Sequence, residues 1–575
     1  MMNGRLLTLL KYSLLLLPLL FLAVFYFYPL AAIFGLSFAP DGRFQPDNLS
    51  QLLTRPLFRQ TLWFTVWQAA VSTLLTLLLA LPGAYVFARY RFPGKSSLKA
   101  FITLPFVLPT VVVANAFTAL LGPRGLLNEG LMGLFDLARP PIQLDQTIWI
   151  ILLAHVFYNY SIALRMISGF WQNLPTNLTQ AAQMLGASPR RAFLTVTLPL
   201  LAPVVLAAAV LIFIFCFTSF GVILILGGPR FATLEVEIYR QAVSLFNLPV
   251  AAALSLLQIV FTFALMWVYT RIQARMSLPL RLQASQATAK PIHTWRDRLL
   301  VGGNLLVMLL LLGAPLLALI SRSFWGSDGW TLRFYQELFI NRRDSVFFVP
   351  PVEAVLNSTG FGLVTVFMAT TLGLLSTLLI VRAGRVKNPA AVERGLVWLG
   401  RWLGRVIDPL LMLPLATSAV TLGFGFILAL NRPPLDLRST AVLIPIAHTL
   451  VGMPFVIRSL LPAIRSINPR LREAAMLLGA APARVWLEID WPLIRRALLV
   501  GAVFAFTVSM GEFGATLFLS RPQTPTMPVA IFRFLGQPGA LNYGQALAMS
   551  TILMGVCAAG FLAIERFRLG DEGEF

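Results

Sequence analysis

The feature that most constrains the fold of this chain is a succession of long apolar runs, such as residues 201–226 and 250–272. A run of this length, folded as a helix, crosses the roughly 30 Å hydrocarbon core of a bilayer. The chain is 58% hydrophobic and only 12% charged, whereas a soluble domain carries about 25% charged residues. The sequence therefore predicts an all-α polytopic membrane protein that is surrounded by the lipid bilayer.

About twelve such runs can be placed along the 575 residues. The first has a basic start, but its apolar run is longer than that of a signal peptide, which predicts a retained span. The predicted spans lie near residues 12–36, 60–88, 98–121, 146–169, 201–226 and 250–272, and then near 299–321, 355–381, 405–430, 440–461, 495–520 and 541–564.

The net charge of +22 is explained by basic residues in alternate loops, so no nucleic-acid partner is predicted. Cytoplasmic loops of membrane proteins carry an excess of lysine and arginine. The basic segments that fall on one side of the twelve spans are residues 89–95, 190–191, 271–298, 382–394 and 465–484. This bias predicts that both termini of the multi-pass protein are cytoplasmic.

A shift of 293 residues brings the two halves of the chain into local register. The shift matches His155 with His448 and Phe220 with Phe513. Each half holds six predicted spans, an even number, so the halves form a parallel repeat. The predicted domains are a first transmembrane domain at residues 1–275 with its core at about 60–272, a cytoplasmic linker at 276–298, and a second transmembrane domain at 299–575 with its core at about 355–564.

The repeat includes a short polar helix in the loop after the fourth span of each half. The two copies begin "LTQAAQMLGASP" at residue 178 and "LREAAMLLGAAP" at residue 471. In the second copy Asn468 is placed to cap the helix and Gly479 to end it in a left-handed conformation. Such a helix has an alanine-rich face and is too short to cross the bilayer. It predicts a docking surface, and the alternative is an interfacial helix that only closes a loop.

These two stretches resemble the EAA motif of binding-protein-dependent ABC importer permeases, in which Glu-Ala-Ala is followed by three residues and then Gly. The second copy keeps the motif and the first has a glutamine in place of the glutamate. The residues that carry the resemblance are Glu473, Ala474, Ala475 and Gly479 in the second copy and Gln180, Ala181, Ala182 and Gly186 in the first.

The resemblance implies the ABC type-1 permease fold, a location in a bacterial inner membrane and a coupling role for both polar helices. It implies two copies of a separate ABC ATPase subunit, which bind ATP and Mg²⁺, and an extracytoplasmic solute-binding protein that delivers the ligand. No cofactor is expected on this chain. Because two six-helix halves share one chain, it looks most like the thiamine and ferric-iron uptake permeases, on the stretches 152–166, 215–241 and 509–519. The first two stretches lean towards thiamine.

No catalytic site or metal site is predicted on this chain, so it is interpreted as a transport subunit and not an enzyme. The Gly-Lys-Ser at residues 94–96 lacks the earlier glycine of a phosphate-binding loop, since Arg89 stands at that position. Cys216 and Cys557 lie in apolar runs and are interpreted as packing residues. The matched His155 and His448 predict a repeated hydrogen-bonding role, with ligand contact as the alternative.

A candidate substrate pathway lies near Glu512, an acid inside an apolar run. A carboxylate at membrane depth is costly unless it faces a cavity or a partner. The shift of 293 residues places Ser219 opposite Glu512 and Phe220 opposite Phe513. These four residues are the predicted pathway residues, and one acid among them suits a cationic ligand. The alternative is a buried ion pair of Glu512 with an arginine, for which Arg458 and Arg521 are the candidates.

The most specific function predicted is therefore ATP-driven import of a small molecule or ion, thiamine or ferric iron, by alternating access between the two halves. An ion-gradient-driven transporter with twelve helices is the main alternative. It predicts ionisable residues in several spans and no matched polar helices. A channel or a structural assembly factor is a second alternative.

Overall fold

The structure is a computed structural model, and it describes residues 14–40, 54–275, 290–326, 329–341, 349–384, 406–431, 435–438 and 440–569, with the single residues 43, 50, 52 and 433. Eleven helices in these ranges are long and apolar enough to cross a membrane, and one bent helix pair raises the number to as many as 12. The spans are Leu14–Phe38, Pro56–Arg89, Thr110–Phe135, Ile148–Gln172, Pro189–Phe217, Leu248–Gln273, Trp295–Ser323, Val352–Arg382, Leu443–Ser466, Pro482–Gly511 and Ala540–Arg566. The predicted all-helical, twelve-span architecture is confirmed.

Two predicted spans are broken. The run at 98–121 divides into the helices Lys95–Val107 and Thr110–Leu121, because Pro109 supplies no amide hydrogen to continue the first helix. The run at 405–430 is the bent pair Val406–Ala416 and Ala419–Ala429, with a bend of 95°. Prediction of each as one continuous helix was wrong.

Two further predicted spans end early. The helix in the run at 201–226 stops at Phe217, and a separate helix Gly221–Leu226 follows. The helix in the run at 495–520 stops at Gly511, before the short helix Gly514–Leu519. Both breaks fall at the predicted pathway residues, so hydropathy located these segments correctly and missed their interruption.

The remaining elements are shorter. Other α-helices are Leu126–Phe135, Thr176–Met184, Leu234–Tyr239, Arg333–Gln336, Pro469–Leu477 and Met527–Leu535. Single π-helical turns are found at Ala23–Phe27, Phe193–Thr197, Arg240–Ser244, Leu309–Gly313 and Trp486–Asp490, and 3₁₀ turns at Gly228–Arg230, Glu337–Phe339 and Leu413–Ala416. Strand Tyr90–Arg91 pairs in parallel with Lys290–Pro291, and Trp325–Gly326 pairs antiparallel with Gly329–Trp330.

By packing, the chain divides into two compact units that do not follow the repeat boundaries. One unit contains Gln45–Tyr335 and Phe534–Thr551, and the other contains Met1–Phe44, Gln336–Arg533 and Ile552–Phe575. The predicted domains at 1–275 and 299–575 describe the sequence repeat, and they stay a prediction. Most of the predicted linker, residues 276–289, lies outside the described residues.

The first span of each half packs on the unit that is built mainly from the other half. In one unit the helix Tyr28–Phe38 lies against Ala419–Ala429, and the hydroxyl groups of Tyr26 and Thr417 are 2.6 Å apart. In the other unit the helix Ala314–Ser323 lies against Thr110–Leu121. The packing inside each unit therefore follows the repeat, except that the first span of each half packs in the unit formed mainly by the other half.

Candidate functional site

The two polar helices predicted as docking surfaces are present as Thr176–Met184 and Pro469–Leu477. Asn468 caps the second helix, because its side chain accepts a hydrogen bond from the amide of Arg470 at 3.0 Å. Both helices end in a Schellman motif. In the second, the amide of Gly479 donates to Met476 O at 3.0 Å and the amide of Ala480 donates to Ala475 O at 3.0 Å.

Glycine is required at the end of both helices. Gly186 and Gly479 have φ angles of +88° and +84°, in the left-handed region that side chains disfavour. The capping predictions made from the sequence are confirmed at Asn468 and Gly479. The motif residues Gln180, Ala181, Glu473 and Ala474 are exposed, and Ala182 and Ala475 are half-buried.

The apolar residues just before each glycine are almost fully exposed. Met184 and Leu185 are each 89% exposed, and Leu477 and Leu478 are 88% and 89% exposed. The shift of 293 residues matches these two pairs. Apolar residues at this exposure, presented twice at the ends of polar helices, are the feature expected of a surface that a protein partner covers. We call these four residues the tips.

Each polar helix is tied to a π-helical turn at the base of the span that follows it. In the second half Arg472 Nε donates to Asp490 Oδ1 at 2.7 Å, and the pair is largely buried. In the first half the matched residues Thr179 and Thr197 have their hydroxyl oxygens 3.3 Å apart. Each polar helix is thereby connected to the base of a membrane span, through an ion pair in one half and a hydroxyl contact in the other.

Glu512 lies at the break between Trp491–Gly511 and Gly514–Leu519, and it is buried. Its Oε1 accepts from the amide of Ala515 at 2.8 Å and its Oε2 accepts from the amide of Thr516 at 2.9 Å. The carboxylate thus satisfies two amides at the start of a helix, where a negative charge is stabilised. The hydroxyl of Thr516 also donates to Oε2.

The partner of Glu512 is a histidine. His448 Nε2 lies 3.3 Å from Glu512 Oε2 and 2.8 Å from Thr516 Oγ1, and His448 Nδ1 lies 2.7 Å from Ser509 Oγ. Arg521, one of the two arginines considered as a partner, donates instead to Arg438 O. The alternative prediction paired Glu512 with an arginine. It was wrong, because the charged partner of Glu512 is His448.

The first half repeats the histidine and replaces the acid. His155 Nδ1 lies 3.0 Å from Ser72 Oγ, and His155 Nε2 lies 2.8 Å from Ser219 Oγ. Both histidines are buried and hydrogen-bonded, as predicted from their matched positions. Phe220 and Phe513 are buried beside the breaks and contact the rings of Tyr239 and Phe532. The pathway role of Ser219, Phe220, Glu512 and Phe513 stays a prediction.

We expect the substitution Glu512→Gln to lower the thermal midpoint of the purified protein. A glutamine has one acceptor oxygen, so one of the two helix amides loses its partner, at a cost of about 1–3 kcal/mol. The matched control is Glu488→Gln, which removes an exposed acid that pairs with Arg484. Thermal unfolding in detergent checks this. Equal midpoints for Glu512→Gln and the wild type would show that the hydrogen bonds of Glu512 to the two helix amides contribute nothing to stability.

Two buried acids were missed in the sequence. Glu235 and Glu237, on the helix Leu234–Tyr239, are 2% and 1% exposed. They fall in the short segment between the fifth and sixth spans, for which no element was predicted. The available signal was the alternation of acidic and apolar residues in "LEVEIY", which is unusual beside long apolar runs.

The comparisons with known proteins agree with this geometry. The family described as "Binding-protein-dependent transport system inner membrane component" matches residues 72–278, within the first half. The thiamine transport system permease protein ThiP of Brucella abortus is 26% identical over 506 residues, with 88% of this chain and 86% of that protein covered. ThiP of Haemophilus influenzae is 27% identical over 563 residues, with 96% and 95% covered.

Among solved structures, a bacterial ABC transporter involved in alginate import is 18% identical, with a TM-score of 0.40. The structural alignment covers 47% of this chain and 96% of the chain in that structure. That likeness is too low to bear on function. The family match, the two full-length relatives and the duplicated membrane architecture together identify the class of the protein. This chain is a permease subunit of a binding-protein-dependent ABC importer.

Proposed function

We propose that the chain is the permease of a thiamine importer, and that both polar helices couple it to ATPase subunits. The observation that carries the coupling role is the duplicated exposed apolar tip, at Met184 and Leu185 and again at Leu477 and Leu478. The choice of thiamine is supported by relatives that cover most of this chain and are named as thiamine permeases. A family name that specifies dependence on a binding protein supports delivery by such a protein.

Two tips imply two ATPase subunits, one for each polar helix. These subunits supply ATP hydrolysis, since the Gly-Lys-Ser at residues 94–96 is not a complete phosphate-binding loop. The basic loops that flank the polar helices support a cytoplasmic location for the tips and for both termini. The docking sites are unequal in charge, because Glu473 in one helix is matched by Gln180 in the other.

The mechanism follows from the connection between tips and breaks. When the ATPases close on ATP, they move the polar helices, and each helix moves the base of the following span through its contact at Thr197 or Asp490. That span ends at the break beside Ser219 or Glu512. Nucleotide binding energy therefore shifts the population between inward-open and outward-open states.

Reconstituted transport tests the substrate. The complex of this chain with its ATPase and binding protein, in proteoliposomes with internal ATP, is expected to accumulate thiamine and to leave ferric iron outside. Uptake without ATP is expected to be absent. Accumulation of ferric iron, or thiamine uptake that follows an imposed proton or sodium gradient without ATP, would overturn the proposal.

The ion-gradient alternative is disfavoured by two observations. It gives no reason for two matched helices with exposed apolar tips, and the family match is to importers that depend on a binding protein. Buried acids do occur at Glu235, Glu237 and Glu512. The measurement of uptake under an imposed proton or sodium gradient without ATP is therefore the necessary control.

A further inference from the structure

A cavity of about 680 Å³ lies in the packing unit that contains Gln45–Tyr335 and Phe534–Thr551. Its walls come from the turn after the helix Thr110–Leu121, from the hairpin after Ala314–Ser323 and from the start of the helix Ala540–Leu569. All of its lining residues belong to this one unit. A cavity of this size holds a drug-sized molecule or several side chains, and the coupling mechanism does not use it.

The cavity lies at the ends of the spans that are opposite to the polar helices. Arg124 and Glu129 line it and precede the span Ile148–Gln172, and that span ends just before the polar helix Thr176–Met184. Because the polar helices are assigned to the cytoplasmic side, the cavity is on the extracytoplasmic side. We call it the outer cavity.

The mouth of the outer cavity is formed by exposed residues and its floor by buried ones. Arg124 and Gln537 are exposed and lie in turns between helices, whereas Gly544 and Leu547 are buried in the last helix. A mouth made of turns opens towards water, while a lipid site opens on the apolar sides of the helices. This arrangement favours a partner that arrives from the aqueous phase over a phospholipid.

The turn that carries Arg124 is held in place by a buried asparagine. The side-chain amide of Asn128 donates to Gly122 O at 2.9 Å and to Ile142 O at 2.8 Å. Its carbonyl oxygen accepts from the amide of Ile142 at 2.9 Å. The mouth is therefore formed before any partner binds, which lowers the entropy cost of binding.

Aromatic side chains form a second wall. Trp325 lines the outer cavity and is 57% exposed. Beside it, Phe324 stacks on the rings of Trp330 and Tyr335, with centroid distances of 6.4 and 4.9 Å. The hydroxyl groups of Tyr335 and Ser323 are 2.8 Å apart, so this wall is also held by contacts within the chain.

The charges that line the outer cavity leave one arginine without a partner. Arg322 Nη1 donates to Glu129 Oε2 at 2.8 Å, and Arg322 Nη2 donates to Glu129 Oε1 and to Arg124 O. Both oxygens of Glu129 are therefore engaged. The guanidinium of Arg124 is exposed, and within the described ranges it makes no hydrogen bond or ion pair.

This charge distribution selects a carboxylate and not a cation. Two arginines and one glutamate line the outer cavity, and the glutamate is already paired. The planar fork of an arginine binds a carboxylate through two parallel hydrogen bonds. Thiamine is a cation, so its charge is the wrong one for the free position at Arg124.

We propose that the outer cavity receives a loop of the solute-binding protein that carries an acidic side chain, and that Arg124 pairs with its carboxylate. This inference rests on the proposed function, of which delivery by a binding protein is part. Arginine, tryptophan and tyrosine are the residues most enriched at interface hot spots. The outer cavity presents all three, at Arg124, Trp325 and Tyr543.

The test measures the affinity of the thiamine-loaded binding protein for the complex of this permease with its ATPase, in nanodiscs. Arg124→Glu is expected to weaken the Kd roughly ten- to a hundredfold, the range that hydrogen bonds between charged groups contribute. Ala540→Trp places a large side chain in the wall of the cavity. It is expected to weaken the Kd at least about tenfold, the loss of one hot-spot contact.

The matched control is Arg139→Glu, the same charge change at an exposed arginine of the same outer segment that does not line the cavity. Its Kd is expected to equal that of the wild type. If Arg124→Glu does not yield a monodisperse complex, Arg124→Ala decides the same question.

The outcomes separate this inference from the proposed function. A wild-type Kd in a monodisperse Arg124 variant or in Ala540→Trp would overturn the inference alone, as would equal weakening by Arg139→Glu. A phospholipid that copurifies with the wild type and is lost from Arg124→Glu, at unchanged Kd, would identify a lipid headgroup as the occupant and overturn it too. A wild-type complex that does not bind the binding protein would overturn the proposed function and the inference with it.

Discussion

Replacing the four tip residues with aspartate is expected to abolish the association of this permease with its ATPase. Leu477 and Leu478 are almost fully exposed, and burying a leucine side chain contributes about 1.5–3 kcal/mol. The double change at one tip therefore removes roughly 3–6 kcal/mol, which weakens the Kd by about 10²- to 10⁴-fold. The change at both tips is expected to end ATP-dependent uptake. Co-purification and affinity measurements in detergent check this result.

The matched control uses the same chemistry at the opposite ends of the spans. Leu134 and Phe135 are 75% and 61% exposed and lie at the end of the span Thr110–Phe135, just before the segment that leads to the fourth span. Aspartate at both positions is expected to leave ATPase affinity unchanged. If the tip variants bind the ATPase as tightly as the wild type, the tips are not docking residues and the coupling role fails.

A second large effect is expected for Gly373→Leu, on folding and not on docking. A Cβ atom at Gly373 would lie 2.7 Å from Val456 Cγ1, and one at Gly501 would lie 3.0 Å from Val456 Cα. Val456 is thus held between two glycines, where the helices Val352–Gly384, Leu443–Ser466 and Trp491–Gly511 pack together. Small residues allow such close helix approach in membranes.

The leucine forces these helices apart, and overpacking costs about 1–3 kcal/mol or more. At about 2–4 °C for each kcal/mol in a domain of this size, a cost of 3 kcal/mol lowers the thermal midpoint by roughly 6–12 °C. Gly360→Leu is the matched control on the same helix, because a Cβ there has no atom within 4 Å. Fluorescence-detected size-exclusion after heating measures both variants, and equal midpoints would show that the close packing at Val456 does not support the fold.

The spans and the repeat could be predicted from the sequence because the hydrocarbon core of the bilayer requires every span to be a long apolar helix. Outward-facing residues such as Leu74 and Phe367 remain exposed and apolar, so they add to the hydropathy signal instead of interrupting it. The polar helices were predictable for a different reason. Asn468, Pro469 and Gly479 each act on the local backbone, and local capping chemistry can be read without knowing the tertiary structure.

The breaks and the buried acids could not be predicted, because both depend on long-range contacts. The carboxylate of Glu512 accepts hydrogen bonds from the nearby amides of Ala515 and Thr516, but its contact with the ring of His448 comes from a distant span. Glu235 and Glu237 lie in a short segment between two apolar runs, and their burial depends on packing that the segment itself does not reveal. The exchange of the first spans between the packing units is likewise invisible in a linear sequence.

Hydrogen–deuterium exchange with and without the ATPase tests the coupling role most directly. On addition of the ATPase subunit, residues 176–187 and 469–480 are expected to become protected, and residues 136–147, at the opposite ends of the spans, are expected to exchange as before. Protection of both segments, increased by ATP, is the result that this account predicts. Unchanged exchange in both segments, with the ATPase demonstrably bound, would contradict it.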